Sequence, residues 1–147
     1  MFNMKLFKLS ILSIILVTII LGIFSITMCR SLSRDEHASI TCGVLAQNNI
    51  LYKDFSYPQT PYLPTFYSAL FKLTRTSYYL LWGRIFTFIL TMLSSLLIYL
   101  ISYKLSNNVF VSIGFLLLFV FNELIVSYMG YAWNHDIPLP FILMAFY

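Results

Sequence analysis

Charged residues are scarce in this chain. Its 147 residues include nine Lys and Arg and five Asp and Glu, whereas 60% of all residues are hydrophobic and the mean hydropathy is +0.84. A soluble domain usually carries charge on about a quarter of its residues. Long uncharged runs separate the few charges that are present. The composition therefore excludes an ordinary soluble protein and predicts an integral membrane protein.

Cysteine is also scarce, and signals for nucleic-acid binding are absent. Cys29 and Cys42 are too few for a disulfide framework. We expect two unrelated buried thiols, with a single bridge left open because both lie on one side of the predicted membrane. The net charge of +4 fits anionic headgroups or phosphate better than nucleic acid, because no nucleic-acid motif and no internal repeat accompanies it.

Four apolar runs predict the membrane spans of a single membrane domain over 1–147. The first three cover 9–29, 85–103 and 109–129, and each is close to the roughly 20 residues that a spanning helix needs. The first run is too long for a typical signal peptide and lacks a small-residue cleavage site, so we expect it to stay uncleaved. The fourth run starts at Ile137 and reaches only about half a span. We therefore expect the N-terminal part of a longer protein, or the product of an interrupted reading frame.

A polar loop over 30–83 separates the first two spans. Ser33 and Glu36 have the spacing of a capping box, which predicts a helix that runs to about residue 47. Prolines within 52–64 predict an irregular or extended segment, and a second short helix over 65–73 suits the membrane interface. The predicted fold class is therefore all-α, with polytopic transmembrane helices and an extracytoplasmic loop that carries short juxtamembrane helices.

Alternating spans would place most acidic residues on one face of the membrane. Asp35 follows the first span and Asp136 follows the third, so both emerge on the same side. Glu123 lies inside the third run, where an ionisable group is either functional or protonated and paired. The positive-inside rule does not favour an external loop, because Arg30 and Arg34 flank one end of the first span while lysines flank the other.

The order of these features resembles a known family. After the first span come Asp35-Glu36, a short helix, the string Tyr52-Lys53-Asp54-Phe55 and a proline-rich segment over 57–64. Arg84 then heads the second span, and Asp136 precedes the fourth run. This order is similar to the N-terminal part of the GT-C superfamily of membrane glycosyltransferases. It most resembles the branch of protein mannosyltransferases, aminoarabinose transferases and bacterial enzymes with an RgtA-like domain.

The resemblance implies transfer of a sugar from a polyprenyl-phosphate carrier to a lipid, glycan or protein acceptor on the extracytoplasmic or lumenal side. Asp35 has the position of the proposed general base. Four other residues would bind substrate: Glu36, Arg84, His135 and Asp136. Cationic side chains would stabilise the phosphate leaving group. No cofactor is certain. A divalent metal at Asp136, or one held by Asp35, His37, His135 and Asp136 together, is left open, with two histidines at the membrane interface as the simpler interpretation.

The chain departs from the family pattern in the proline-rich loop. Some relatives have Lys-Pro-Pro there, with the lysine near the lipid phosphate, whereas this chain has Gln59-Thr60-Pro61. That phosphate contact is therefore not expected here. Helix capping alone would explain Glu36, and a helix N-cap would explain Asp136. Two other functions stay open: a small non-catalytic membrane protein or remnant, and a transporter fragment with Glu123 in its pathway.

Overall fold

The computed structural model describes residues 4–129, 131–132 and 137–147. Within these ranges the chain is helical apart from turns and one isolated bridge between Leu51 and Phe55, which confirms the predicted all-α class. The helices are α1 (Met4–Cys29), α2 (Arg34–Leu45), α3 (Tyr62–Thr74), α4 (Tyr79–Ser106), α5 (Val109–Val120), α6 (Glu123–Met129) and α7 (Pro138–Phe146).

The longest helix, α4, is at the centre of the fold and contacts each of the other six. Its 28 residues span about 42 Å, which exceeds the ~30 Å hydrocarbon core of a bilayer. Among the described residues, α4 is the one helix long and apolar enough to cross a membrane by itself. Residues 13–29 of α1 meet the same test only together with α2, and the two helices are bent by 80° relative to each other.

The segment 109–129, predicted as one span, forms two helices. α5 ends at Val120, and the Oδ1 of Asn122 accepts hydrogen bonds from the N–H groups of Leu124 and Ile125. An asparagine side chain can accept hydrogen bonds from backbone N–H groups in place of the carbonyl groups of a continuous helix. Asn122 is therefore the N-cap of α6. Glu123 is therefore exposed in the first turn of α6 instead of lying inside a continuous helix.

Two apolar clusters pack the helices around α4. The first joins α2, α3 and the N-terminal end of α4 and contains Ile40, Leu63, Tyr67, Phe71 and Ala132. The second joins α1 and α5 and contains Ile19, Ile23, Leu116 and Val120. Helices α2 and α3 of the first cluster approach each other closely at Gly43, where an added Cβ atom would lie 2.5 Å from the Cβ of Tyr67.

Several predicted helices are present, with ends that differ from the prediction by up to six residues; α3, for example, begins at Tyr62, inside the segment predicted to be irregular. Ser33 is the N-cap of α2, as the capping-box spacing predicts, although α2 ends at Leu45. The short helix predicted over 65–73 is contained in α3, and the span predicted over 85–103 is contained in α4. Pro138 and Pro140 lie in the first turn of α7, where proline is tolerated.

Candidate functional site

A buried ion pair joins α2 to α4. Arg84 donates from Nε to Oε1 of Glu36 at 3.0 Å and from Nη2 to Oε2 at 2.9 Å. Glu36 is fully buried and Arg84 is 6% exposed. The two hydrogen bonds are directional, because the planar guanidinium matches the geometry of a carboxylate. The pair therefore sets the position of the first turn of α2 relative to α4.

Two more hydrogen bonds connect this pair to other parts of the chain. Nη1 of Arg84 donates to the carbonyl oxygen of Met28 in the last turn of α1 at 3.1 Å. The N–H of Ala132 donates to Oε1 of Glu36, also at 3.1 Å. Carbonyl groups in the last turn of a helix have no partner inside it, so Arg84 also caps the C-terminal end of α1. The ion pair thus lies at the junction of α1, α2 and α4.

Glu36 and Arg84 were both predicted to bind substrate, and the structure brings them together. The capping box forms only in part: Oγ of Ser33 accepts from the N–H of Glu36 at 3.1 Å, but the Glu36 carboxylate is bonded to Arg84 and Ala132. A carboxylate that is fully buried needs a cationic partner. Substrate binding by either residue stays a prediction, and it requires the ion pair to open.

Arg30 makes a related contact just after the end of α1. Its Nη1 donates to the carbonyl oxygens of Val126 and Ser127 in α6 at 2.8 and 2.9 Å. Its guanidinium also lies 4.8 Å from the centroid of the Tyr131 ring, within cation–π range. The two bonds cap carbonyl groups in the last turn of α6. The sequence indicated Arg30 only as a charge that flanks the first span, so this role was missed.

Asp35, the predicted general base, is exposed in the first turn of α2. No residue in the described ranges forms an ion pair or a hydrogen bond with its side chain. The adjacent Glu36 is buried, so the two carboxylates have opposite environments: one is held by arginine and the other faces outwards. Glu36 therefore has a structural role, whereas the carboxylate of Asp35 is accessible.

A chain of hydrogen-bonded hydroxyl groups lies beside the face of α2 that carries Asp35. Ser39, one turn after Asp35, bonds to Oη of Tyr57 at 3.0 Å, and Tyr57 donates to Oε1 of Gln59 at 3.1 Å. Since a phenol has a single O–H hydrogen, Ser39 is the donor to Tyr57. Oη of Tyr52 donates to the carbonyl oxygen of Gln59 at 2.8 Å. The bond between Ser39 and Tyr57 holds the proline-rich segment against the helix that carries Asp35, and the other two bonds lie within the loop.

The roles of Ser39 and Tyr57 were missed in the sequence analysis. Tyr57 belongs to the proline-rich string that carries the family resemblance, but nothing local connects it to a serine 18 positions earlier. Both side chains are buried, Ser39 at 1% and Tyr57 at 4% exposure. A tyrosine placed next to proline in a polar loop was the one available signal, and it does not identify a partner.

His37 lies away from Asp35 on α2, because side chains two residues apart on a helix do not face each other. It lines an open groove of about 520 Å³ between α2 and the start of α4, together with Thr41 and residues 77–81. Asp35 and His37 therefore do not fit one metal ion. Within the described ranges, no group of three or more His, Cys, Asp or Glu residues could hold a metal.

His135 and Asp136, both predicted to bind substrate, lie outside the described residues. Their predicted roles, and the divalent metal that depended on them, stay predictions.

Neither cysteine forms a disulfide. Cys29 is exposed, so the prediction that both thiols are buried is wrong for this residue. Cys42 is partly buried, and burial raises the pKa of its thiol. A thiol with a raised pKa is a poor nucleophile near neutral pH, because little thiolate forms. Burial therefore disfavours the nucleophilic thiolate form of Cys42.

Comparison of this chain with family models, with characterised proteins and with solved structures finds no match to any of them.

Proposed function

We propose that this chain belongs to a polytopic membrane glycosyltransferase of the GT-C type, in which Asp35 is the general base. The observation that carries the proposal is the contrast between Asp35 and Glu36. Asp35 is exposed and unpaired among the described residues, on a helix whose first turn is held by the buried Glu36–Arg84 pair. A general base needs both an accessible carboxylate and a fixed position.

The proposed reaction moves a sugar from a polyprenyl-phosphate donor to an acceptor hydroxyl or amine. The acceptor oxygen or nitrogen forms a bond to the anomeric carbon, and the bond from that carbon to the phosphate oxygen breaks. The electron pair leaves with the phosphate, and the acceptor proton moves to Asp35. Negative charge develops on the phosphate oxygen, so a nearby cation lowers the barrier.

We assign this phosphate to Arg34 and not to Arg84. It is exposed at the start of α2, next to Asp35, whereas Arg84 is buried and committed to Glu36 and Met28. The resemblance assigned substrate binding to Arg84. In the proposed mechanism Arg84 positions α2 through Glu36, and Arg34 meets the phosphate.

The proposed membrane arrangement has α4 spanning the bilayer, with the loop over 30–83 on the extracytoplasmic or lumenal side. The length and apolar composition of α4 support one span. Exposed apolar residues on α1, including Ile14, Leu16, Val17 and Leu21, support a second. A lipid-linked donor can approach Asp35 from the bilayer, because α2 begins where α1 ends.

Transfer activity of Asp35→Asn in the complete gene product is the direct test. Membranes that contain the overexpressed protein are incubated with tritiated polyprenyl-phosphate mannose, and the label released to an acceptor fraction is counted. We expect Asp35→Asn to reduce transfer by at least about a hundredfold, because general-base catalysis contributes roughly 10²–10⁴-fold. Unchanged transfer would remove Asp35 from the mechanism.

Asp54→Asn is the matched control. Asp54 is also exposed in the same loop, but its Oδ2 accepts the N–H of Ile50 at 2.8 Å, and asparagine keeps a side-chain oxygen for that turn. We expect this variant to retain transfer and membrane insertion. If the wild-type protein is inserted and stable but transfers no sugar from a panel of lipid-linked donors, a non-catalytic membrane protein is the better interpretation.

The side of the membrane is tested separately. A variant without Cys29 and Cys42 receives one cysteine at Ser56, which is exposed in the loop. An impermeant thiol reagent should label this cysteine in intact cells. Labelling only after permeabilisation would place the loop in the cytoplasm and contradict the proposed active face.

A further inference from the structure

The short helix α3 is apolar on two of its faces. Its inner face packs into the first cluster through Leu63, Tyr67 and Phe71. Its outer face carries a second apolar stripe, in which Phe66 is 41% and Leu73 is 83% exposed. The members of this outer stripe are three or four positions apart and therefore share one face of the helix: Tyr62, Phe66, Ala69 and Leu73. Packing within the protein explains the inner face of α3 but not the outer stripe.

Two ring contacts set the depth of α3 beside α4. Phe66 stacks on Phe86 with ring centroids 4.4 Å apart, and the ring of Phe71 lies 4.9 Å from that of Tyr79. The uncharged stretch 85–103 of α4 is about 29 Å long, close to the ~30 Å of a hydrocarbon core. With α4 spanning the bilayer as proposed above, Phe86 lies just inside the edge of that core and Tyr79 lies about 9 Å outside it. The C-terminal end of α3 is therefore near the headgroups, and its middle reaches the hydrocarbon edge.

The end of α3 that lies near the headgroups is cationic. Lys72 is in the last turn of α3 and Arg75 follows directly after the helix, and both are exposed. Neither side chain forms an ion pair or a hydrogen bond with any residue that the structure describes, so neither caps the carbonyl groups at the end of α3. The sequence contains no Asp or Glu between Asp54 and Glu123. Two cations at this depth complement the phosphate of an anionic phospholipid.

We propose that α3 binds an anionic phospholipid of the surrounding leaflet, with the lipid phosphate at Lys72 and Arg75 and an acyl chain along the outer stripe. A shallow groove of about 440 Å³ follows this stripe and receives part of the chain. It is lined by Pro61, Tyr62, Thr65, Phe66 and Ala69. The site prefers anionic over zwitterionic lipids, because only the former have a net charge that the two cations attract. The inference rests on the span of α4 in the proposed function, but not on sugar transfer or on Asp35.

Quenching by spin-labelled lipids tests this site in the whole chain. A variant without Cys29 and Cys42 receives one cysteine at the exposed Ala69, which is labelled with bimane, and is reconstituted in phosphatidylcholine nanodiscs. Phosphatidylglycerol or phosphatidylcholine with a nitroxide near the carbonyl end of one acyl chain is then titrated in. We expect both lipids to quench the bimane. Half-maximal quenching should need at least about fivefold less phosphatidylglycerol, because each Lys or Arg near an anionic headgroup contributes roughly a fivefold preference.

The double variant Lys72→Gln/Arg75→Gln should lose this preference, so that the two lipids quench equally. Arg34→Gln/Lys53→Gln is the matched control, because it removes two exposed cations from the same loop and should keep the preference. Absence of quenching, equal quenching by the two lipids in the wild type, or equal losses in the two double variants would overturn the lipid site.

Washing of the cell membranes with alkaline carbonate separates these outcomes from failure of the span. Protein that stays in the washed membranes has an inserted α4, so a failed quenching result with this protein counts against the lipid site alone. Extraction of the protein by carbonate would overturn the span of α4, and the lipid site with it. Loss or retention of sugar transfer in Asp35→Asn changes neither result.

Discussion

The buried Glu36–Arg84 pair should make a large contribution to the free energy of unfolding, and this contribution should depend on both residues being present. In Arg84→Met, the fully buried Glu36 carboxylate keeps the N–H of Ala132 as its one partner among the described residues. Breaking one side of a buried ion pair typically costs about 3–5 kcal/mol, because the remaining charge stays buried. That cost lowers the ratio of folded to unfolded protein by roughly 10²–10⁴. Such a loss is a large part of the ~5–15 kcal/mol that stabilises a typical domain.

The double variant Glu36→Leu/Arg84→Met separates pairing from simple removal of polar groups. It leaves no buried charge, but the Ala132 N–H and the Met28 carbonyl each lose a partner. Each unsatisfied backbone group costs about 1–3 kcal/mol. We therefore expect the double variant to lose less free energy of unfolding than the sum of the two single variants, by at least about 2 kcal/mol.

Equilibrium unfolding of the purified protein in detergent micelles, followed by circular dichroism, measures these differences. Arg75→Met is the control, because Arg75 is exposed at the end of α3 and should change the free energy of unfolding by about 0.5 kcal/mol or less. An Arg84→Met variant within about 1 kcal/mol of the wild type would show that the buried Glu36 carboxylate does not depend on Arg84. Full additivity of the two single variants would refute the coupling.

Two further predictions concern packing and the loop beside Asp35. Gly43→Ala should lower the free energy of unfolding by about 1–2 kcal/mol, because its Cβ would lie 2.5 Å from the Cβ of Tyr67. Gly114→Ala should raise it by up to about 1 kcal/mol, because beyond its chain neighbours and the backbone of its own helix no described atom lies within 4 Å of the added Cβ. Changes of the same sign in the two variants would contradict this explanation. Tyr57→Phe leaves Ser39 and Gln59 without their shared partner. Trypsin should then cleave after the exposed Lys53 about fivefold faster than in the wild type, and an unchanged rate would show that the loop is held by other contacts.

The break at Asn122 illustrates a local signal that a count of apolar residues ignores. The run over 109–129 is long enough for one span, and length alone predicts a continuous helix. Asparagine followed by glutamate is, however, a typical start of a helix, and the side chain of Asn122 caps α6. The capping rule that correctly identified Ser33 as the N-cap of α2 would also have identified this position.

Glu36 shows the opposite case, in which a correct local signal does not predict the role of the residue. The capping-box spacing identified the start of α2, but the Glu36 side chain bonds to an arginine 48 positions away. Nothing in the sequence near either residue indicates this pairing. The same is true of Arg30 and the carbonyl oxygen of Val126, which are 96 positions apart.

Sequence alone was therefore enough to predict the helical class, the start of α2, the short helix of the loop and the apolar composition of α4. These features depend on neighbouring residues, through apolar runs, caps and prolines, so they can be read locally. Which member of the Asp35-Glu36 pair is buried and which is exposed is set by the packing of α2 against α4. That outcome depends on where α4 places Arg84, because a buried carboxylate is stable only where a cation from another helix reaches it.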